Sequence, residues 1–380
     1  MKPAADALGL YIHLPWCEKK CPYCDFNSHE RQDLPEEHYV DALLRDLDHD
    51  VALADERRIT SIFIGGGTPS LFSASAIDRL LQGVSVRLRL TGDIEITLES
   101  NPGSAETGKF AGFRAAGVNR LSLGVQSFHD ASLQALGRIH SAAQALRAVD
   151  AARDAGFDNL NLDLMHGLPG QSVKEGMDDL QRAMQLAPEH LSWYQLTIEA
   201  NTHFYSAPPL LPVEDSLARL EEEGGAALTA GGFMRYEVSA YARGDRCRHN
   251  LNYWQFGDYL ALGAGAHGKI TQSDGSVWRY AKTRQPDAYM AAVAGAHTSQ
   301  QRLLGAQDLA GEFMLNGLRL DAGVPVQRFS EATGLAYDAV QTTVARLAEE
   351  GLLRTDPDVL CTTPLGRRFL DNVVARFFPD

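Results

Sequence analysis

Six short apolar segments, each followed by a stretch of helical periodicity, restrict the possible folds of this 380-residue chain more than any other feature. The segments are 9–14, 59–64, 94–98, 120–125, 160–164 and 191–196. After the first, Tyr39, Val40, Leu43, Leu44, Leu47 and Val51 recur at spacings of three and four, as do Ile77, Leu80, Leu81 and Val84 after the second. Further helical stretches lie near 106–116, 130–155 and 172–186. Strands joined by helical crossovers pair in parallel, because antiparallel neighbours need only a short turn. Six repeats fall short of a closed eight-unit barrel. The expected α/β fold is therefore an open, three-quarter parallel β/α barrel of about six βα units, with a doubly wound sheet as the alternative.

This alternation fades after residue 200, giving three expected units: a barrel over 1–200, an extension over 201–300 and a C-terminal domain over 301–380. Pro208, Pro209 and Pro212 mark the first break, and 231–280 is rich in Gly, Tyr and Trp. The last unit has a winged-helix-like pattern. It has helices over 326–333 and 337–350 around Gly334, strands at 352–353 and 359–360, and a closing helix from Pro364. A DNA-reading version would carry a basic second helix, whereas Arg346 here stands against Asp338, Glu349 and Glu350. The expectation is a structural or docking role and no nucleic-acid partner. A formal net charge of −14 agrees, since phosphate neutralisation needs clustered Lys and Arg. No apolar run is long enough for a transmembrane helix and no signal-peptide pattern is visible, so a cytoplasmic location is expected, with peripheral membrane contact left open.

Three of the five cysteines fall within eight residues, as Cys17-x3-Cys21-x2-Cys24, directly after the first strand. Barrels place their active-site loops there. Three thiolates can hold three irons of a four-iron cubane and leave the fourth iron without a protein ligand. Structural zinc needs four ligands, and His13 or His29 could supply the last, so zinc is the alternative. Other polar residues also stand at strand ends. Gly65-Gly66-Gly67-Thr68-Pro69 follows the second strand without the Lys of a phosphate loop. Glu99 and Gln126 end the third and fourth strands, and Asp163 lies near the end of the fifth.

The pattern Tyr11-x-His13-x-Pro15-x-Cys17-x3-Cys21-x2-Cys24 resembles the cluster loop of the radical S-adenosylmethionine family, in the branch containing oxygen-independent coproporphyrinogen III oxidase. The resemblance covers nearly the whole chain. It implies a 4Fe-4S cluster on Cys17, Cys21 and Cys24, whose open iron chelates S-adenosylmethionine, and a one-electron cleavage of a C–S bond. It further implies cofactor contacts at Tyr11, Tyr23, Gly66, Gly67, Thr68, Glu99, Gln126, Arg138, Asp163, Thr197 and Ala266. An electron donor such as flavodoxin or ferredoxin would serve the cluster.

Two departures separate this chain from the oxidases. Their pattern has a further cysteine where Phe26 stands here, and a long N-terminal arm where this chain has about eight residues. Both departures resemble the heme-chaperone branch of the family instead. So does His249-Asn250-Leu251-Asn252-Tyr253-Trp254, which implies His249 as a heme ligand. Imidazole suits heme iron, and Tyr and Trp offer flat faces to a porphyrin. The same residues also suit a packed, hydrogen-bonded histidine. Gly263-Ala264-Gly265-Ala266-His267-Gly268 matches the family as well, with His267 a secondary heme-ligand candidate. Cys247, two positions before His249, could compete for iron but is expected to be a buried or incidental thiol, and Cys361 is expected to be structural. Three functions follow in competition. The first is a heme chaperone passing heme to apo-proteins such as respiratory hemoproteins, the second oxidative decarboxylation of coproporphyrinogen III, and the third a structural zinc protein.

Overall fold

The computed structural model describes residues 7–378. Its main sheet has twelve strands and is open, with Thr298–Leu303 and Met234–Glu237 at its edges. Seven central strands run in parallel. Six are the expected segments, Ala7–Leu14, Arg58–Gly66, Leu90–Ser100, Arg120–Gln126, Leu160–His166 and His190–Gln195. The architecture is the open parallel β/α barrel with an extension and a C-terminal helical unit.

The seventh parallel strand, Tyr259–Leu262, lies against the first, with Gly9 opposite Tyr259 and Ile12 opposite Leu262. Sequence periodicity did not reveal it, because four residues carry too little pattern to be read. Antiparallel strands continue the sheet on both sides, so the extension belongs to the barrel wall.

Alternation along the parallel strands sorts the side chains by chemistry. Leu8, Leu10, Ile12 and Leu14 are fully buried in the main hydrophobic core, as are Ile62, Ile64, Leu98, Leu121, Leu123, Leu160, Leu162 and Leu191. The intervening residues are Tyr11 and His13, Ser61, Glu95, Thr97 and Glu99, Arg120 and Ser122, Asn161 and Asp163, and His190 and Ser192. They give the barrel a polar lumen, whereas a parallel sheet covered on both faces is ordinarily apolar throughout.

The crossover helices begin where polar caps allow. Ser73 Oγ accepts the Ala76 amide ahead of Ala74–Arg87, and Ser141/Gln144 and Ser172/Glu175 form capping boxes for Ala142–Asp154 and Val173–Gln185.

In the C-terminal unit Val326–Thr333 ends on Gly334, whose φ of 70° is the left-handed cap such an end requires. Asp338–Glu349 follows, and Phe313, Met314, Phe329, Leu347, Leu360 and Val373 share a separate core. The wing differs from expectation. Val359–Leu360 pairs with Val324–Pro325, while Leu353 makes only an isolated bridge to Thr362. The Leu352 amide is already taken by Leu347 O at the helix end, at 2.8 Å, so no strand begins there. Among the described residues no helix is long and apolar enough to cross a membrane.

Candidate functional site

The cysteine loop closes as a short parallel pair, Trp16–Cys17 with His29–Glu30. His13 fastens it from below. Its Nε2 lies 2.9 Å from Asn27 O, which can only accept, so Nε2 carries the proton and Nδ1 accepts from Tyr11 OH at 2.9 Å. Burial lowers the His13 pKa to about 4 and keeps the ring neutral. Asn27 Nδ2 donates to Ala264 O at 2.8 Å and Arg284 O at 2.9 Å, joining the loop to the segments that follow Tyr259–Leu262 and Val277–Lys282.

The three thiols line a cavity of about 480 Å³, and each has a polar companion. Thr68 Oγ1 donates to Cys17 Sγ at 3.6 Å, Arg138 Nη1 to Cys21 Sγ at 3.6 Å, and Ser28 Oγ lies 3.9 Å from Cys24 Sγ. Burial raises the pKa of Cys17 and of Cys24, so metal loading has to displace their protons. His13, one possible fourth zinc ligand, has both nitrogens engaged. Among the described residues no three His, Cys, Asp or Glu side chains converge on one ion position.

Gly66 and Gly67 line the same cavity, packed against the first strand and the start of the cysteine loop. Gly66 has a φ of 120°, and a Cβ there would meet the His13 ring at 2.7 Å. A Cβ on Gly67 would lie 2.5 Å from Trp16 O. Only glycine allows so close a backbone approach.

Tyr23, Gly66, Gly67, Thr68, Glu99, Gln126, Arg138, Asp163 and Thr197 all line this cavity. Glu99 Oε2 accepts from the Gly66 amide at 3.2 Å. Its pKa rises to about 8, first through desolvation and then through the Asp163 charge. Asp163 accepts from Asn161 Nδ2 at 2.7 Å and Ser122 Oγ at 3.0 Å, and its pKa too is raised by burial. Gln126 sits at φ 67°, an uncommon conformation for a residue with a side chain, and accepts from Tyr194 OH at 2.8 Å. Arg138 also donates to Asn101 Oδ1 at 2.5 Å and Gly124 O at 2.9 Å. Asn101, Ser122, Ser192 and Tyr194 were missed in the sequence, although serine or tyrosine at alternate positions of an apolar strand signals a polar lumen.

Tyr11 and Ala266 are not in this group. They line a second cavity of about 700 Å³, together with His13, Tyr253, Tyr259, His267 and Arg284. The two cavities share Asp25, Phe26, Gly66 and Glu99 as a common wall.

His249 lies deeper, in Arg248–Trp254, and is 1% exposed. Its Nδ1 pairs with Ser61 Oγ at 3.0 Å and its Nε2 with Tyr253 OH at 2.8 Å. Its ring stacks on Phe63 at 5.3 Å, and burial lowers its pKa to about 3. In this conformation neither ring nitrogen is free. Cys247 is buried 3.5 Å from Glu95 Oε1, with its pKa pushed up to about 12 by burial, and Cys361 is also buried.

Comparison with known proteins places these features in context. Residues 11–183 match the Radical SAM superfamily, and residues 304–369 match the HemN C-terminal domain. The chain is 48% identical over 375 residues to the heme chaperone HemW of Escherichia coli, covering 98% of both proteins. It is 46% identical to the heme chaperone HemW of Haemophilus influenzae, covering 100% of both. A solved structure of coproporphyrinogen III oxidase from Escherichia coli superposes with a TM-score of 0.82 at 24% identity. The match covers 98% of this chain and 90% of that one, and it bears on the fold alone.

Proposed function

The chain belongs to the radical SAM superfamily, within the family of the HemW heme chaperones, and from that premise we propose that it binds heme and passes it to apo-proteins while carrying a 4Fe-4S cluster and S-adenosylmethionine. One observation carries this reading: an aromatic, imidazole-bearing cavity adjoins the cysteine cavity across a shared wall.

The residues suit the cluster and its cofactor. Cys17, Cys21 and Cys24 would hold three irons, and their hydroxyl and guanidinium companions can stabilise thiolate charge. When bound, the cluster supplies low-potential electron transfer. Gly66 and Gly67 admit backbone next to the cofactor, and Glu99 and Asp163 offer carboxylates to its ammonium and hydroxyl groups. Gln126, Thr68 and Thr197 add hydrogen-bonding groups, and Tyr23 an aromatic wall. Arg138, which donates to Cys21, would pair with the cofactor carboxylate. Tyr11 and Ala266 would border the cofactor from the second cavity.

Heme would lie in the second cavity, beside the segment His249–Trp254. Two imidazoles are candidates for its iron, His249 of the motif and His267 at the rim. An electron donor such as flavodoxin or ferredoxin would reduce the cluster, and the C-terminal unit would serve docking.

The test is one anaerobically reconstituted sample given hemin in one arm. In the other it receives coproporphyrinogen III with S-adenosylmethionine and a reductant. The expected result is about four irons and four sulfides per chain, as for a cubane, with bound heme and no decarboxylation. Porphyrinogen turnover without heme binding would return the oxidase reading.

A further inference from the structure

We infer that His267, with Arg284 beside it, is the axial-ligand site for an iron porphyrin in the second cavity, and that His249 braces the cavity wall. This assignment rests on the heme-carrier reading and names the residues that perform it.

Among the histidines lining that cavity, His267 is exposed, and its ring nitrogens have no protein partner among the described residues. His13 also lines it but uses one nitrogen on Asn27 O and the other on Tyr11 OH. His249 is enclosed behind Tyr253 and would have to break its 2.8 Å bond to that hydroxyl before meeting iron. The bond has a different consequence: it holds the Tyr253 ring, which packs edge-on against Tyr259 at 4.4 Å. With Tyr11 these rings make a flat-sided lining suited to a macrocycle.

His267 opens the strand His267–Thr271 and pairs in register with Ala281, so its backbone position is set by the sheet and not by a mobile loop. Partial burial and, after it, the Arg279 and Arg284 charges lower its pKa.

The charge distribution orients the ligand. Asp25 stands on the wall shared with the cysteine cavity. Lys282, although buried at the cavity edge, is neutralised by Asp46 at 2.6 Å and Asp50 at 2.7 Å. Arg279 is held by Glu312 and Tyr259. Arg284 is exposed, and its guanidinium has no carboxylate partner among the described residues. A porphyrin's carboxylates would therefore pair with Arg284 rather than with the wall shared with the cysteine cavity. A cavity of about 700 Å³ falls within the usual ligand-pocket range of roughly 300–1,000 Å³.

The test titrates the full, cluster-reconstituted chain with hemin and, separately, with metal-free protoporphyrin. His267→Ala should lose the ligand-shifted Soret band and bind hemin roughly tenfold more weakly, or ~1.4 kcal/mol. Its affinity for metal-free protoporphyrin should stay at the parent value, which also shows that the cavity is intact. Added imidazole should restore the band in His267→Gly, a rescue that a merely structural role would not give. Arg284→Gln should weaken both probes. An unchanged hemin spectrum in His267→Ala overturns the assignment. So does loss of the band in His249→Ala with the band kept in His267→Ala, an outcome that leaves the heme-carrier reading standing. A parent protein that binds no hemin overturns both.

Discussion

Replacing Gly67 with Ala tests whether the glycine wall sets the position of the cysteine loop. The added Cβ would lie 2.5 Å from Trp16 O, 2.7 Å from its carbonyl carbon and 2.9 Å from its nitrogen. Ordinary contact begins at 3.4 Å, so the Trp16 carbonyl must retreat by about 0.9 Å. Backbone has less room to yield than the end of a flexible side chain. Trp16 is also wedged between Tyr39, at a ring distance of 4.6 Å, and Phe72 at 5.9 Å, and its carbonyl accepts from the Thr68 amide at 2.8 Å. Overpacking of this kind costs about 1–3 kcal/mol. Because Cys17 follows Trp16 directly, the same movement carries its sulfur away from Thr68 and out of register with Cys21 and Cys24. The expected result is a lower denaturant midpoint and incomplete iron and sulfide loading after anaerobic reconstitution. Gly92→Ala is the control, since a Cβ there meets nothing within 4 Å. If Gly67→Ala took up the parent's iron and matched its midpoint, the close approach would have no bearing on the cluster, and this reasoning would fail.

Three other outcomes are expected. Arg138→Ala should weaken S-adenosylmethionine binding by about 1.5–3 kcal/mol, measured by calorimetry, and should perturb the cluster spectrum because Arg138 also contacts Cys21. Equal affinity in variant and parent would refute the placement of the cofactor carboxylate. Glu99, with its pKa raised to about 8, is largely protonated at neutral pH in the empty protein. Cationic cofactor should therefore bind more tightly as pH rises through about 8 and should release a proton, and Glu99→Gln should flatten that profile. The same shift means the folded empty protein holds a proton that the unfolded chain gives up. This group's contribution to stability thus falls as pH climbs from 4.5 to about 8, which pH-dependent unfolding of parent and Glu99→Gln would measure. Asn27→Ala removes two bonds to the 264–284 segment and should raise proteolytic cleavage within the cysteine loop, whereas unchanged cleavage would show the loop to be held elsewhere.

The six crossover strands were legible because each carries apolar residues, largely at alternate positions, over a stretch long enough to show its period. The polar lumen was legible in principle in the same letters: Glu95-x-Thr97-x-Glu99 and His190-x-Ser192-x-Tyr194 place polar groups on one face. Residues at strand ends, such as Glu99 and Gln126, could be selected from position alone. The second cavity could not, because it joins Tyr11 to Tyr253 and His267, which no local pattern connects. His249 shows the same limit. Its motif is readable, but its closure by Ser61, 188 positions away, belongs to tertiary packing.

Placing the first strand between Arg58–Gly66 and Tyr259–Leu262 has a consequence for biosynthesis. The cysteines leave the ribosome long before residues 264 and 284, whose carbonyls secure Asn27. Until those residues emerge, the first strand presents an open edge, a known template for aggregation, and its thiols stay accessible to oxidants. Loading of a metal centre at these cysteines is therefore expected late in the life of the nascent chain. A product cut short before residue 259 would keep all three cysteines and still lack the support that holds their loop.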